Sequence, residues 1–537
     1  MANNIKYYIN KFTDASGNDV DSIDGIKVYS DSDMTNELNL ITASESMPIS
    51  LEQIYVVYTG IPSNYFYVEA LEEGVLRMEV NNSTGDAYYS ENCDANGVWT
   101  ALEKNTVSSA NYRTLTLQKG DIRYIRCDSS ELQITNINYF QDTTYSYGVG
   151  FNVGGNIASL IEPYNFESST TMSGKMTNGV FSDLFSGSSV KNAENLDFPT
   201  ITSEKCYSGM FKDCQSIIAG PMSLPATTLA DYSYQGMFSG CTNLTAAPHI
   251  LATECGKGSC KAMFWQCFSL VIPPDMEIIS VGEQGCYDMF RECTKLECTP
   301  NIKVENVGKE SFREMFYLDS SLVSATYELK PQTLGERSYY EMFRGCVKLE
   351  TAPKLTSATT LDVGCCEFMF EDCKALKTVS DLPAEILRED CYKQMFQGCS
   401  SLSTPPVISA SGINGSETGC CSGMFNGCTS LEYGPDLQIL DVKSDCYKSM
   451  FEFCFSLKKL KIYATKINGA TPYSGNVSSC FNNILKNANA DADNYTESMG
   501  VLSFKNRNLK TAFEQVGCSG SGCGDNYIFD KTKWNLV

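Results

Sequence analysis

The sequence has few basic residues and almost no histidine. Its 537 residues include 41 lysines and arginines against 64 aspartates and glutamates, which gives a formal net charge of −23, and one histidine. Such a chain would be repelled by a phosphate backbone, so we expect no nucleic-acid binding. A single histidine also leaves few ways to build a catalytic or metal centre.

Long apolar runs are also missing. No stretch approaches the roughly 18 apolar residues of a membrane-spanning helix. The first residues, MANNIKYYINKFTDASGND, lack the basic start and apolar run of a secretory signal. We therefore expect no membrane insertion and no export. The 25 cysteines would suggest disulfides in a short secreted protein, but in this long chain they predict mostly free thiols.

What the sequence does contain is one phrase repeated at a nearly fixed interval. A Met-Phe pair recurs ten times, at intervals of 26 or 27 residues with one interval of 29. This period is typical of a solenoid, in which each unit buries its apolar residues only against its neighbours. Degenerate copies at Leu184-Phe185 and from Cys480 predict atypical end units. The methionines of the ten pairs are Met210, Met237, Met263, Met289, Met315, Met342, Met369, Met395, Met424 and Met450.

Each unit predicts a short helix followed by a short strand. In CYKQMFQGC, Cys391–Cys399, apolar or small residues lie four and three before Met395, at Met395, and one and four after it. This is the spacing of one helical face, and Gly398 lies where a left-handed cap would end the helix. A leucine column follows, Leu402 in this unit, and a proline eleven residues after Met in seven units keeps the strand short. The expected fold is a right-handed solenoid with buried Met, Phe, Leu and cysteine columns.

The pattern CYxxMFxGCxxLxxxP resembles the BspA-like leucine-rich repeats of the Met-Phe type, found in proteins of gut anaerobes and of the tailed phages that infect them, crAss-like phages among these. The resemblance covers about residues 60–490, since YFYVEALEEGVLRMEV, NGVWTALEKN, LTLQKGDIRYIRC and GFNVGGNIASLI precede the repeats in the order typical of such proteins. It implies a leucine-rich-repeat fold that serves as a scaffold for interactions.

Four regions are predicted, and the fold class is α+β. Residues 1–62 form a small β domain, because IKYYINKF, GIKVYS and QIYVVYTGI are β-branched and aromatic runs broken by turn residues. Residues 63–160 form a β-sandwich-like module. Residues 161–488 form the leucine-rich-repeat solenoid, with a short strand plus a short helix in each unit of about 26 residues. Residues 489–537 form a C-terminal cap.

No motif assigns a catalytic, cofactor-binding or metal-binding residue, and the binding residues are unknown. His249 follows a proline in a variable segment, where a lone surface histidine is the favoured interpretation over a catalytic one. The motif CSGSGCGD, Cys518–Asp525, is better explained by a local disulfide or a glycine-rich turn than by a metal site.

Two kinds of repeated side chain are assigned to the core rather than to a site. Adjacent cysteines could bind metal, but neighbouring side chains on a helix point apart, so buried thiols are favoured. Tyrosines that share one column have the phase of the buried face and are predicted to be core rather than sugar-stacking residues. The cysteine pairs are Cys365-Cys366 and Cys420-Cys421, and the tyrosines are Tyr207, Tyr234, Tyr339, Tyr392 and Tyr447.

The expected function is that of a non-enzymatic phage virion protein, such as a fibre, spike or capsid-decorating protein, assembled in the host cytoplasm. Residues 1–62 would dock on other virion proteins, and the repeats would contact a host-surface glycan or protein, or neighbouring subunits of a homo-oligomer. No cofactor is expected. A bacterial cell-surface adhesin of the BspA-like type is the alternative, and a polysaccharide depolymerase is less favoured because no catalytic constellation is present.

Overall fold

The structure is a computed structural model, and its contacts divide the chain into two compact units, residues 1–64 and residues 65–537. It describes residues 65–81, 86–91, 98–107, 110–127, 134–143, 148–161, 178–200, 203–274, 276–325, 327–486, 488, 500–517, 529 and 534–537, together with three strands before residue 65. The motif Cys518–Asp525 lies outside the described residues.

The first unit contains a three-stranded antiparallel sheet. Strand β1 (Ile26–Tyr29) lies in the middle, between β2 (Glu37–Leu38) and β3 (Tyr55–Tyr58). The β-branched and aromatic run YVVY favours a strand, and the register places Tyr29 opposite Tyr55.

The second unit begins with two sheets that precede the repeats. Alternating sequences build them: in the strand GVLRMEV, Leu76 and Met78 are buried while Arg77 and Glu79 are partly exposed. The rings of Tyr139 and Phe151 connect the two sheets at 5.9 Å between centroids. The strands are β4 (Tyr67–Ala70), β5 (Gly74–Val80), β6 (Ala87–Ser90), β7 (Thr100–Ala101), β8 (Glu103–Val107), β9 (Ala110–Leu117), β10 (Ile122–Cys127), β11 (Ile134–Phe140), β12 (Phe151–Asn156) and β13 (Val190–Asp197), with a 3-10 helix at Ile157–Leu160, and the sheet orders are β13-β12-β4-β10-β6-β7 and β11-β5-β9-β8.

Short parallel strands connect each repeat to the next. The strands have two to five residues, and a strand in one repeat pairs with the equivalent strand about one period later, as Glu254 pairs with Ser280. These strands are β14 (Ser223–Leu224), β15 (Thr228–Leu229), β16 (His249–Ile250), β17 (Glu254–Cys255), β18 (Ser280–Val281), β19 (Asn306–Val307), β20 (Ile386–Leu387), β21 (Gly412–Ile413), β22 (Tyr433–Leu437), β23 (Asp441–Val442), β24 (Lys459–Ile462) and β25 (Lys466–Ile467).

The prediction of a short helix in each repeat is wrong. Among the described residues, the ten Met-Phe segments form runs of tight turns. In CYKQMFQGC, the main-chain N–H of Met395 donates to Tyr392 three residues earlier, whereas the N–H of Phe396 donates to the carbonyl of Met424 in the next repeat. This alternation continues along the segment, so every second amide bonds within the repeat and every second amide bonds along the stack.

A left-handed residue at every fourth position produces the alternation. In this repeat Asp390, Gln394 and Gly398 have φ of 52°, 51° and 73°. The spacing of the stack also excludes helices, because packed helix axes lie about 8–10 Å apart. The phenylalanine rings of successive repeats are only 5.2–5.7 Å apart, from Phe185 to Phe451, with planes within 16°.

The predicted burial of the repeat columns is confirmed. Every methionine and phenylalanine of the ten pairs is at most 1% exposed, and so are the residues of the leucine column. The five tyrosines predicted to be core residues are buried as well. The two end copies stack on the repeats as predicted. At the start, the ring of Phe185 stacks on that of Phe211. At the end, the N–H of Phe451 donates to the carbonyl of Ile484, which occupies the methionine position of the last copy.

The cysteine column forms a ladder of thiol hydrogen bonds. Each thiol donates to the carbonyl of the phenylalanine one repeat earlier, as Cys241 does to Phe211. The same oxygen also accepts the main-chain N–H of the residue in the earlier repeat's cysteine position, which is a cysteine except at Ser188 and Asp319. Cysteine is suited to this position because it is small and apolar yet carries a weak donor. The nine bonds, 2.9–3.2 Å long, run from Cys214, Cys241, Cys267, Cys293, Cys346, Cys373, Cys399, Cys428 and Cys454.

One carboxyl group interrupts this ladder. Asp319 stands where the other repeats have cysteine, and it is fully buried. Neither carboxyl oxygen has a hydrogen-bond partner of acceptable geometry among the described residues. Burial raises the pKa of Asp319 well above its ordinary value of 3.8, the nearby amide of Cys293 offsets part of the shift, and the charge of Glu292 adds to it. Only the neutral acid can offer an O–H donor in place of the missing thiol.

The parallel ladder continues beyond the last repeat. Strand β26 (Gly500–Phe504) pairs with β24, and β27 (Trp534–Leu536) pairs with β26. The helices α1 (Ser474–Phe481) and α2 (Arg507–Val516) pack against each other through Phe481 and Phe513, whose rings are 5.1 Å apart. Asn506 caps α2 by accepting the N–H of Leu509 at 3.0 Å.

Thiol reactivity tests the ladder. All 22 described cysteines are free, and only Cys298 is exposed. A thiol reagent should label Cys298 in the folded protein and the ladder cysteines only after unfolding, because burial raises the pKa of a ladder thiol such as Cys214 to about 12. Peptide mapping by mass spectrometry reads this out, with Cys298→Ser as the control. Rapid labelling of several ladder cysteines in the native state would contradict the structure.

Replacing the buried carboxyl should stabilise the protein. Asp319→Cys restores the thiol donor and removes an unpartnered acid, so we expect the free energy of unfolding to rise by about 1–3 kcal/mol near neutral pH. A carboxyl whose pKa is raised in the folded state contributes stability below its unfolded pKa of 3.8 and loses it as the pH rises through the folded pKa. The advantage of Asp319→Cys should therefore grow between about pH 5 and about pH 8.

Urea unfolding at both pH values measures this difference. Asp372→Asn is the control, because Asp372 is an exposed carboxyl at the neighbouring turn position of another repeat. An advantage of Asp319→Cys that is absent, or equal at both pH values, would show that the carboxyl is not buried unpartnered.

Candidate functional site

Many of the residues two before and two after the methionines are partly exposed on the surface of the turn runs, whereas others, such as Glu367 and Glu371, are buried. In the central repeats these positions carry aromatic and basic side chains, which we call the tyrosine–arginine face. One column holds the residues two before Met: Lys261, Tyr287, Arg313 and Tyr340. The other holds the residues two after Met: Arg291, Tyr317 and Arg344. All seven are half-buried.

Cations and rings alternate along both columns. In the first column the Lys261 ammonium lies 4.3 Å from the ring centroid of Tyr287. The guanidinium carbon of Arg313 lies 5.2 Å from Tyr287 and 4.8 Å from Tyr340. Each ring is therefore in contact with cations from the neighbouring repeats, within the distance at which cation–π attraction acts.

The second column shows the same alternation, displaced by one repeat. The guanidinium carbon of Arg291 lies 4.3 Å from the ring centroid of Tyr317, and that of Arg344 lies 5.9 Å from it. Tyrosine and arginine thus exchange places between successive repeats, so that a checkerboard of rings and guanidinium groups covers the face.

Carboxylates next to the arginines pair with them and hold them in place. Asp288, Glu314 and Glu341 occupy the positions between the two columns. The ion pairs join Arg291 to Asp288 (3.3 Å) and to Glu314, Arg313 to Glu310 (3.0 Å) and to Glu314 (3.1 Å), and Arg344 to Glu341 (3.2 Å) and to Glu371 (2.7 Å).

The arginines are more exposed than most of the carboxylates that pair with them. The side chains of Arg291, Arg313 and Arg344 are 25–33% exposed, and those of Glu310, Glu314, Glu341 and Glu371 are 6–11% exposed. Asp288 and Glu292, which pair with Arg291, are 18% and 25% exposed. A molecule approaching the tyrosine–arginine face would therefore meet guanidinium groups and carboxylates together.

Burial raises the pKa of two of these carboxyl groups. It raises the pKa of Asp288 to about 6, with repulsion from Glu314 adding to the shift and Arg291 opposing it. It raises the pKa of Glu371 to about 7, and Arg344 offsets part of this shift. Glu371 is therefore partly protonated already near neutral pH, and Asp288 loses its charge in mildly acidic solution, which would leave the arginines paired with them less neutralised.

The acidic residues between the columns adopt an unfavourable backbone conformation. Asp288, Glu314 and Glu341 have φ of 56°, 55° and 53°, a region that favours glycine. The same position is left-handed in every repeat, with glycine at Gly209 and Gly423 but with Ala262, Phe368, Gln394 and Ser449 in repeats outside the face. The conformation therefore belongs to the turn run, and the alternation of rings and guanidinium groups is what marks the face as a candidate site.

The residues singled out in the sequence lie elsewhere. His249 is half-buried in β16, paired in register with Ser223. The pairs Cys365-Cys366 and Cys420-Cys421 are buried. In the part of the chain that the structure describes, no group of three or more histidine, cysteine, aspartate and glutamate side chains is arranged to hold a metal ion.

Sequence reasoning missed the tyrosine–arginine face, although a signal was present. The pentapeptides YDMFR, REMFY and YEMFR, at residues 287–291, 313–317 and 340–344, exchange tyrosine and arginine around a constant Met-Phe pair. Their meaning depends on the distance between neighbouring repeats, which the sequence does not give.

Comparisons with known proteins give little further information. No protein-family model and no curated protein matches the chain. A solved structure of a leucine-rich repeat protein from Bacteroides ovatus is similar at 14% identity and a TM-score of 0.36, over 82% of this chain and 100% of that chain. A TM-score this low does not establish a shared fold. No helix within the described ranges has the length and apolarity needed to span a bilayer.

Removing one ring should loosen the face. Tyr317→Ala removes the contacts with Arg291 and Arg344, so we expect the free energy of unfolding to fall by about 1–2 kcal/mol. Tyr317→Phe keeps the ring and is the matched control, with a change of less than about 0.5 kcal/mol. Denaturant unfolding measures both variants. Equal losses for the two would assign the effect to the hydroxyl group and would contradict a cation–π checkerboard.

Proposed function

We propose that the protein is a non-enzymatic recognition scaffold, a right-handed leucine-rich-repeat solenoid of the BspA-like kind, whose tyrosine–arginine face binds a macromolecular partner. The observation that carries this proposal is the checkerboard itself. Tyrosine and arginine are, with tryptophan, the residues enriched at the energetic centres of protein interfaces. Here they are concentrated on one face in consecutive repeats.

Rigidity supports a binding role. The ion pairs and ring contacts already fix the side chains in the free protein, so little rotamer entropy remains to be lost on binding. The site extends across several repeats instead of enclosing a cavity, which favours a macromolecule over a small ligand. Sugar stacking is disfavoured on these rings, because cations from neighbouring repeats already contact their faces.

A virion protein is the more specific role that we propose. The thiol ladder requires reduced cysteines, and all 22 described cysteines are free. Folding in a reducing cytoplasm, where virions assemble, meets this requirement more readily than export does. The separate compact unit of residues 1–64 suits an attachment domain for other virion proteins. The repeats would then carry the face toward a host-surface molecule or toward neighbouring subunits.

A bacterial surface adhesin is the second candidate. The resemblance of the repeats favours it as much as the virion role, and the tyrosine–arginine face would serve an adhesin equally well. Location separates the two candidates: mass spectrometry of purified particles should detect the protein if it is a virion component. Detection only on the bacterial cell surface would favour the adhesin.

Deleting the first unit tests the docking part of the proposal. A chain lacking residues 1–62 should fold its repeats, because the two units are compact separately, but it should not enter particles. Tyr317→Ala in the full chain is the control, since it alters the face and leaves residues 1–62 intact. Normal incorporation of the truncated chain would contradict docking through this unit.

A further inference from the structure

Three buried cysteines lie outside the thiol ladder and contact one another. Cys255 is the second residue of β17, and Cys260 and Cys286 each stand three residues before the methionine of their repeat. All three are buried and free. Hydrogen-bond contacts between the thiols join Cys255 to Cys260, Cys255 to Cys286 and Cys260 to Cys286. We call this group the three-thiol cluster.

Each cysteine of the cluster stands where neighbouring repeats have a larger side chain. The position of Cys260 and Cys286 is aromatic in the repeats before and after them. The position of Cys255 is aliphatic in the next repeat, where Val281 pairs with Cys255 in the parallel register of β17 and β18. Cysteines that replace residues of two different columns thus meet at one place in the core. The aromatic residues on either side are Tyr234 and Phe312.

Cys255 supplies a geometry that stacked cysteines lack. Equivalent residues of successive repeats are one stack spacing apart and leave the stack in the same direction, as the rings of Phe264 and Phe290 show, with centroids 5.4 Å apart and planes within 6°. A disulfide needs Cβ atoms about 3.5–4.5 Å apart. Two cysteines of one column are therefore poorly placed to form a disulfide, whereas Cys255 approaches Cys260 and Cys286 from a strand.

The contacts also favour a thiolate at one position of the cluster. Hydrogen bonds from the thiols of Cys260 and Cys286 lower the pKa of Cys255 well below its ordinary value of 9.0, and burial opposes this shift. Cys255 in turn raises the pKa of Cys260 and of Cys286, and burial adds to both shifts. Because the thiolate is the reactive form of cysteine, Cys255 is the nucleophile of the cluster.

We propose that Cys255, Cys260 and Cys286 form a redox site, in which a hydroperoxide oxidises Cys255 and a disulfide then joins Cys255 to one of the other two cysteines. The Cys255 thiolate attacks a peroxide oxygen and breaks the O–O bond, which leaves a sulfenic acid on Cys255 and a hydroxide that takes up a proton. The thiol of Cys260 or Cys286 then attacks this sulfur, and the S–O bond breaks as the S–S bond forms. Two thiols lose two electrons and two protons in all, and hydrogen peroxide is reduced to two waters.

The ladder thiols of the same repeats lack this arrangement. Cys267 and Cys293 donate to the carbonyls of Phe238 and Phe264 at 3.2 and 3.1 Å. Burial raises the pKa of both thiols. We therefore expect a peroxide to oxidise the three-thiol cluster and to leave the ladder reduced.

The disulfide would fasten β17 to a turn run after the protein has left a reducing compartment. This consequence goes beyond the recognition role and holds whichever partner the tyrosine–arginine face binds. A metal site is the other chemistry open to three cysteines, but the described side chains include no group of three or more that is arranged to hold a metal ion.

Peptide mapping of the folded full-length protein after treatment with hydrogen peroxide tests the proposal. Alkylation in denaturant blocks the remaining thiols, and digestion at lysine, arginine and glutamate places Cys255, Cys260, Cys267 and Cys286 on separate peptides. Mass spectrometry without reductant should find the Cys255 peptide joined to that of Cys260 or Cys286, and a reductant should separate them. Oxidation of the exposed Cys298 shows that the peroxide is active.

Three variants assign the roles within the cluster. Cys255→Val introduces the residue that the next repeat has at this position, and it should abolish the disulfide. Cys260→Ser and Cys286→Ser should each retain the disulfide, because each leaves Cys255 with one partner. Thermal unfolding checks that the variants are folded, and Cys255→Ala replaces Cys255→Val if the latter is not.

Several results would overturn the proposal. These are a reduced cluster under conditions that oxidise Cys298, an unchanged yield of disulfide in Cys255→Val, and equal cross-linking of the ladder cysteines Cys267 and Cys293. Zinc or copper bound by the purified protein in stoichiometric amount, and lost in Cys255→Val, would assign the cluster to metal binding instead. All of these results leave the recognition role unaffected, because that role is tested by location and by particle incorporation.

Discussion

The hydrogen bond from every second main-chain amide to the carbonyl of the next repeat is the constraint on which the rest of the structure depends. It fixes successive repeats at the spacing of stacked phenylalanine rings, 5.2–5.7 Å. At that distance the methionine, phenylalanine and leucine of each repeat are buried by identical residues above and below. The thiol ladder follows from the same spacing, because each cysteine reaches a carbonyl one repeat away.

The same spacing between repeats determines which surface side chains come into contact. On the tyrosine–arginine face, cations and rings of neighbouring repeats lie 4.3–5.9 Å apart. Like charges at such a distance would repel one another, and the checkerboard avoids this by separating the arginines with tyrosines and pairing them with carboxylates. Asp288, Glu314 and Glu341 share their left-handed backbone with the equivalent residue of every other repeat, including Ala262 and Gln394 outside the face.

The sequence allowed much of the interior to be predicted. The columns around Met395, the free thiols and the end copies at Phe185 and Ile484 follow from period and composition, because burial in a repeat depends only on which residues recur. The helix could not be excluded, since a turn every four residues and a helix with 3.6 residues per turn place the same five positions of CYKQMFQGC inward. Glycines four apart, such as Gly423 and Gly427, carried the signal for turns.

The candidate site could not be predicted from periodicity. Tyr317 is a surface residue in its own repeat and becomes part of a site only through Arg291 and Arg344 in the repeats on either side. Such a site depends on the distance between repeats, and that distance comes from the backbone hydrogen bonds. Asp319 differs, because it stands in the cysteine column, which the repeat pattern already predicts to be interior.

Far-UV circular dichroism of the intact protein tests the central claim most directly. Among the described residues, α-helix occurs only in α1 and α2, of 8 and 10 residues, and the repeats consist of turns and short strands. We therefore predict a spectrum without strong helical minima. A spectrum whose helical signal corresponds to one helix in each of the ten repeats would contradict the alternating hydrogen bonds, and with them the geometry of the tyrosine–arginine face.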